Sequence, residues 1–110
     1  SVSVWGSGKP VCEFLYVDDL VDALMFLLDR TFESPINIGT GEGVSIRDLA
    51  EEIARTVGVK GKLEFDASKP DGAPRKVLDV SRLSAMGWKP RTTLHEGLRK
   101  TYDWLLHGRT

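Results

Sequence analysis

The first group of residues that could do chemistry is an aromatic side chain beside a glycine-rich turn. Trp5 is followed directly by Gly6, Ser7 and Gly8. Turns of this kind can present backbone N–H groups to an anion, and an indole offers a flat apolar face for stacking. The segment therefore suits a ligand that combines a ring with phosphate or hydroxyl groups.

A second loop, Lys69–Lys76, carries three cations and one carboxylate on a backbone that contains two prolines. The prolines restrict the chain and so lower the cost of ordering it on binding. Arg75 or Lys76 could pair with phosphate oxygens, and Asp71 could accept hydrogen bonds from sugar hydroxyls or from a base edge. The composition leaves open a solvated turn whose charges serve only solubility.

The glycine-rich stretch Gly39–Gly43 invites a dinucleotide interpretation, because it follows an apolar segment and precedes a helix. Its spacing is G-x-G-x-G, whereas the dinucleotide fingerprint is G-x-G-x-x-G with the helix beginning inside it. Glu42 would also place a carboxylate where a pyrophosphate should lie. We therefore predict an ordinary turn and assign no cofactor-binding residue to it.

The side chains of a catalytic centre are incomplete in this sequence. An activated tyrosine of the kind that dehydrogenases use has a Lys four residues later, and neither Tyr16 nor Tyr102 has one. His95 and His107 have no carboxylates at metal-ligand spacing and are interpreted as solvated histidines on helix faces. Cys12 is interpreted as an incidental thiol. The sequence thus assigns no catalytic and no metal-binding residue.

The elements that must position these loops alternate between strands and helices, which is the pattern of an α/β protein. Strands are expected at residues 2–4, 14–17, 36–38 and 63–65, with residues 77–80 extended. Helices are expected at about 19–30 behind an Asp18 cap, at 46–57 between a Ser45 cap and Gly58, and from a Thr93–Glu96 capping box to about Leu106, with a single turn from Ser81 to Gly87.

The helix expected at 19–30 is apolar on nearly all sides, which indicates burial on more than one face. A chain of 110 residues supplies little material to cover it. We therefore hypothesise that the chain covers this face by self-association or strand exchange, as a homo-oligomer.

Composition and charge narrow the class of protein. The 15 basic and 16 acidic residues give a net charge of −1, which argues against a nucleic-acid binder because phosphate binding needs clustered Lys and Arg. The longest apolar run, Ala23–Leu28, is far shorter than the roughly 20 residues of a membrane-spanning helix. No secretory signal opens the chain, and its single Cys excludes a disulfide framework. A soluble, cytoplasmic protein is expected.

Several segments resemble the extended short-chain dehydrogenase/reductase superfamily. They are Val4–Pro10, Glu13–Asp19, Asn37–Gly41 and Ser45–Ala50. A further run is similar, within that superfamily, to the GDP-L-fucose synthases, NADPH-dependent enzymes that epimerise and then reduce GDP-4-keto-6-deoxy-mannose. That run consists of Phe65–Lys76, Leu78–Val80 and Gly87–Trp88.

The resemblance implies that residues 1–110 are the C-terminal, substrate-binding region of such an enzyme. The helix at 19–30 and the strand at 36–38 would belong to its Rossmann domain. The family's nucleotide fingerprint and catalytic residues lie upstream of the matching region. NADPH is therefore implied for the parent enzyme, whereas this chain alone is expected neither to hold a cofactor nor to turn over substrate.

For the binding of a GDP-sugar, the resemblance implies the positions of Trp5, Asp71, Arg75 and Lys76. The glycine-rich turn adds Ser7 to these substrate-binding candidates. All five lie in the two loops that the residue types had already singled out.

One position departs from the family pattern. Cys12 stands where the family usually has an arginine that contacts the substrate's phosphates, and losing such a contact typically costs about 1.5–3 kcal/mol. Lys9 lies close enough in sequence to compensate in part. Two alternatives stay open: a portion of another nucleotide-sugar epimerase or dehydratase, and a non-catalytic, self-associating fragment.

Overall fold

A computed structural model describes residues 1–108 of the chain. It contains five short strands and four α-helices within that range, and the last helix continues into a π-helical turn, Trp104–Gly108. The strands are β1 (Val2–Trp5), β2 (Val11–Cys12), β3 (Val44–Ser45), β4 (Leu63–Asp66) and β5 (Arg75–Lys76). The helices are α1 (Val17–Leu28), α2 (Ile46–Val57), α3 (Ser81–Ala85) and α4 (Leu94–Asp103). The α/β class is confirmed.

The strands form two separate small sheets. In the first, β1 pairs in parallel with β4, with Val2 opposite Leu63 and Trp5 opposite Asp66. In the second, the strand order is β3-β2-β5, in which β2 is antiparallel to β3 and parallel to β5. Because parallel partners need a long connection, both parallel pairs join segments that lie some sixty residues apart in the sequence.

Two helices begin as the sequence predicts. The Ser45 hydroxyl accepts the Asp48 N–H at 3.0 Å, and α2 ends at Gly58 in the left-handed region, with φ 79°. At the start of α4, Thr93 and Glu96 form the reciprocal capping box. These signals are local, so the sequence suffices to place them.

The prediction for the start of α1 is wrong. Residues 14–16 are irregular instead of a strand, and the helix begins at Val17, with Tyr16 in the cap position and no side-chain cap from Asp18. The neighbouring carboxylates reach across the fold: Asp19 accepts the Thr92 N–H at 3.0 Å. Asp22 likewise accepts from the indole N–H of the buried Trp88, at 2.8 Å. Asp19 and Asp22 therefore tie α1 to the segment after α3.

The predicted strand at 36–38 is irregular as well, as is the segment at 77–80. A strand needs a neighbour that satisfies its backbone groups, and no described strand lies beside 36–38. Its isoleucines instead pack against the hydrophobic core. The buried members of this core are Ala23, Leu27, Leu83 and Trp88.

Only one side of α1 contributes to that core. Its other side carries large apolar side chains that are exposed, at helical spacing. These residues, named here the α1 stripe, are Val17, Leu20, Val21, Leu24, Met25 and Leu28. Within residues 1–108, no helix is long and apolar enough to cross a membrane.

Candidate functional site

The two loops singled out by residue type lie side by side. Residues 6–10 connect β1 to β2, and residues 67–74 connect β4 to β5. Because β1 is parallel to β4 and β2 is parallel to β5, each loop leaves one sheet and enters the other beside its counterpart. We call the pair the double loop. Backbone hydrogen bonds hold both of its ends, from the Gly6 N–H to Asp66 at 2.9 Å and from the Val11 N–H to Pro74 at 3.0 Å.

The centre of the double loop is a contact between Ser7 and Asp71. The Ser7 backbone N–H donates to one carboxylate oxygen of Asp71 at 2.8 Å, and the Ser7 hydroxyl donates to the other at 2.7 Å. The Lys9 N–H in turn donates to the Ser7 Oγ at 3.1 Å. These contacts, the Ser7–Asp71 junction, fix one loop to the other.

Gly6 allows the loops to come this close. Its φ is 99°, a conformation that L side chains rarely adopt. A Cβ at this position would collide with the Asp71 carboxylate. The G-S-G sequence thus fits both the backbone shape and the space at the junction.

The electrostatics of the junction favour the ionised form of Asp71. The hydrogen bonds from the Ser7 N–H and hydroxyl lower the pKa of Asp71 below its ordinary value, and the Lys9 ammonium adds to the effect. Because a carboxylate has about four lone-pair directions, the two bonds to Ser7 leave it part of its accepting capacity.

Trp5 lies at the edge of the double loop with 70% of its surface exposed. The Lys69 ammonium lies 5.0 Å from the centre of the indole ring, within cation–π range. Lys69 is held by a tight turn in which its own N–H donates to the Asp66 carbonyl at 3.1 Å. The structure thus brings Trp5, Ser7 and Asp71 together beside two cations.

Arg75 and Lys76 are both exposed on β5, but successive side chains of a strand point to opposite faces. Arg75 lies on the face of Gly43, since its guanidinium comes within 3.9 Å of where a Gly43 Cβ would be. Lys76 lies opposite Cys12 in the parallel register and shares its face. The two cations therefore lie on opposite faces of β5.

The cavity beside the junction is small. It is lined by Lys9, Pro10, Asp71, Gly72 and Pro74, and its volume is about 150 Å³. Sites for whole ligands usually measure about 300–1,000 Å³. The cavity beside the junction is thus smaller than a site for a whole ligand.

A larger cavity, of about 310 Å³, lies elsewhere. It lies between the segments Thr40–Val44 and Pro90–Leu94, and none of the five predicted site residues lines it. Its size alone does not connect it with the chemistry of the double loop.

Glu13 organises the second glycine-rich stretch, a role that the sequence did not reveal. Its Oε2 accepts the N–H groups of Thr40 and Gly41 at 2.9 and 2.7 Å and the Thr40 hydroxyl at 3.1 Å. Its Oε1 accepts the Leu78 N–H at 2.8 Å. Partial burial raises the pKa of Glu13, but these hydrogen bonds outweigh it and leave the pKa below its ordinary value.

This arrangement bears on the dinucleotide interpretation of Gly39–Gly43. A pyrophosphate cradle needs backbone N–H groups that are free to donate, and those of Thr40 and Gly41 already bind the Glu13 carboxylate. The stretch therefore does not fit a pyrophosphate.

His95 is paired as well as solvated. Its side chain is mostly exposed, and its Nδ1 lies 2.9 Å from Glu52, which also binds Arg55 at 2.7 Å. The hydrogen bonds from Arg55 and His95 lower the pKa of Glu52. The contact joins α4 to α2, which is a structural use of the histidine. No group of three or more metal-ligating side chains forms within residues 1–108.

Comparison with known proteins finds sequences and structures that are similar to this chain. Residues 1–39 match the NAD dependent epimerase/dehydratase family. The chain is 54% identical over 106 residues to GDP-L-fucose synthase 1 of Arabidopsis thaliana, a match that covers 96% of this chain and 33% of the relative. Among solved structures, a GDP-6-OMe-4-keto-L-xylo-heptose reductase from C. jejuni superposes with a TM-score of 0.85 at 32% identity, over 97% of this chain and 34% of that one.

The chain belongs to the extended short-chain dehydrogenase/reductase superfamily. A GDP-L-fucose synthetase from Naegleria fowleri, solved with NADP bound, has the same fold, with a TM-score of 0.85 at 26% identity over 98% of this chain and 35% of that one. The chain therefore spans about a third of the length of these superfamily members.

Proposed function

We propose that residues 1–110 are the C-terminal, nucleotide-sugar-binding region of a longer GDP-L-fucose synthase, which converts GDP-4-keto-6-deoxy-mannose with NADPH. The observation that carries the proposal is the edge of the double loop, where the exposed indole of Trp5 lies beside Lys69 and near Lys9. Support comes from the 54% identity to a protein named GDP-L-fucose synthase 1.

In this proposal, separate roles are assigned to residues in the double loop and on the adjoining strands. Trp5 stacks on a ring of the ligand, and the cations Lys9 and Lys69 attract its phosphates. Lys76, on the face of Cys12, supplies a positive charge near the position where the family usually has an arginine. Arg75 lies on the other face of β5, so we assign it a smaller contribution to phosphate binding.

The remaining wall of the site and the redox chemistry belong, in this proposal, to other parts of the longer enzyme. NADPH supplies the hydride there. The Gly39–Gly43 stretch does not fit a pyrophosphate, so the cofactor must be held by other residues. We expect the 110-residue chain to bind a GDP-sugar weakly and to oxidise no NADPH.

Titration with GDP tests the proposal. We expect saturable heat in calorimetry and quenching of tryptophan fluorescence, both lost in Trp5→Ala. The matched control is Trp104→Phe, because Trp104 is also exposed, at 59%, but lies in the π-helical turn. Equal loss in both variants, or no heat with millimolar GDP, would contradict the proposal.

The same titration with UDP or dTDP separates GDP-sugar enzymes from the other nucleotide-sugar epimerases and dehydratases. We expect GDP to bind more tightly than either pyrimidine nucleotide. Equal binding of the three would favour a different substrate class within the superfamily.

The α1 stripe favours a second candidate function, that of a self-associating module. Its six large apolar side chains are exposed, and a second copy of the chain would cover them. In analytical ultracentrifugation we expect a concentration-dependent dimer that Leu24→Glu dissociates, with Glu51→Lys on α2 as a charge-changing control. A monomer at all concentrations would remove this candidate.

A further inference from the structure

The role of Asp71 can be refined beyond the proposed function, on which this inference rests. We propose that Asp71 is a positioning residue, which holds the β1–β2 loop in the shape that presents Trp5 and the Lys9 side chain to the nucleotide sugar. In this role the carboxylate does not bind the sugar or the base itself. The resemblance to the family implied a direct contact instead.

The hydrogen bonds of the junction are made between residues of the two loops themselves. One carboxylate oxygen accepts the Ser7 N–H and the other accepts the Ser7 hydroxyl, at 2.8 and 2.7 Å. The hydroxyl has a single proton, and it points at Asp71, so its lone pairs are left to accept the Lys9 N–H at 3.1 Å. Asp71, Ser7 and Lys9 thus form a continuous chain that fixes the backbone of the loop.

The position of the junction along the chain explains why it matters for Trp5. The register of β1 with β4 ends at Trp5 opposite Asp66, and the Gly6 N–H makes one more backbone bond to Asp66. From Ser7 onward no strand pairing continues until Val11 joins β5. Within this gap, the Asp71 carboxylate accepts the Ser7 N–H, which no strand of either sheet binds.

Charge also favours positioning over direct contact. A nucleoside diphosphate brings negative phosphates to the double loop, and a free carboxylate there would repel them. At the junction, the negative charge of Asp71 is bound by the Ser7 N–H and hydroxyl and lies close to Lys9. The lysines around it are then left to attract phosphate.

The test is a double-mutant cycle on GDP binding, measured by calorimetry with the 110-residue chain. We expect Asp71→Ala, which removes both hydrogen bonds of the junction, to weaken binding about tenfold, and Ser7→Ala, which loses only the hydroxyl bond, to weaken it about fivefold. The double variant should bind no more weakly than Asp71→Ala alone, because both changes break the same junction. Asp71→Asn, which can still accept the Ser7 N–H, should restore part of the affinity.

The matched control is Asp79→Ala. Asp79 is also exposed and accepts the N–H of a serine, Ser81, at 2.9 Å, but it lies outside the double loop. We expect its removal to leave GDP affinity unchanged. If the losses of Asp71→Ala and Ser7→Ala add in the double variant, Asp71 acts independently of Ser7 and the inference is overturned.

A ligand-free measurement separates this inference from the proposed function. In NMR spectra of the free protein, Asp71→Ala should shift the Trp5 indole signal, identified by its loss in Trp5→Phe, and should speed hydrogen exchange of the Ser7 N–H. Unchanged signals would overturn the positioning role even if GDP binds. Shifted signals without any GDP binding by the unmodified chain would support the positioning role and contradict the proposed function.

Discussion

Residues 6–8 and residues 39–43 are both glycine-rich turns, and both donate backbone N–H groups to a carboxylate that is distant in sequence. Asp71 accepts from the first turn across 64 positions, and Glu13 accepts from the second across 27 and 28. Only the first has an exposed indole beside it. A turn that looks like an anion site can thus already be satisfied by the protein's own acid.

The two carboxylates differ in how many segments they join. Glu13 is partly buried and binds the turn and also the Leu78 N–H after β5. Asp71 is exposed and binds Ser7 alone. Glu13 therefore holds the fold together, whereas Asp71 sets the shape of one surface.

Of the changes that test this comparison, we expect removal of the Glu13 carboxylate to have the largest effect on stability. We expect Glu13→Ala to lower the free energy of unfolding by about 3 kcal/mol, because three backbone N–H groups lose their acceptor in a partly buried site. Urea denaturation measures this change. Glu42→Ala is the control, since Glu42 is an exposed acid in the same turn, and it should change stability by less than about 0.5 kcal/mol. Similar losses in both variants would show that Glu13 is not the anchor.

Alanine at the two glycines compares the turns directly. Gly6 and Gly41 both have positive φ, 99° and 71°, so we expect each alanine variant to lose about 1–2 kcal/mol of unfolding free energy. Only Gly6→Ala should also weaken GDP binding, because its Cβ collides with Asp71. Gly72→Ala is the control, since no atom lies within 4 Å of its Cβ position. Loss of GDP binding in Gly41→Ala would erase the distinction between the turns.

The smallest effect is a difference in acid stability. The pKa of Glu13 is lowered in the folded protein from an ordinary value of 4.5, so the stability it contributes is fully present above that pH and is lost as the pH falls through the folded value. The sign is the same for Asp71, whose pKa is lowered from 3.8. We expect the free energy of unfolding, measured by urea denaturation at decreasing pH, to fall less steeply in Glu13→Gln than in Asp71→Asn. The reverse order would contradict the structural role of Glu13.

The sequence was sufficient where the signal is local. The Ser45 cap, the left-handed Gly58 and the Thr93–Glu96 box lie where they were predicted, because each depends on residues within one turn of helix. The two-residue strands β2, β3 and β5 were not predicted. Their pairing depends on partners far along the chain, and two residues carry no periodicity.

The site was predictable in its residue types and not in its contacts. Trp5, Ser7 and Asp71 were chosen for their chemistry, but only the parallel pairing of the strands brings the three together. The same pairing places Arg75 and Lys76 on opposite faces, which composition could not show. Glu13 was missed because its partners come from two other segments, and no spacing rule connects them.

The way the double loop spans two sheets has a mechanical consequence. Two adjacent connections cross from the β1–β4 pair to the β2–β5 pair, and the Ser7–Asp71 junction ties these crossings together at their midpoint. A change in the angle between the sheets must bend both crossings at once. If a ligand binds between Trp5 and the lysines, as proposed above, it should resist that bending and so reduce motion of one sheet relative to the other.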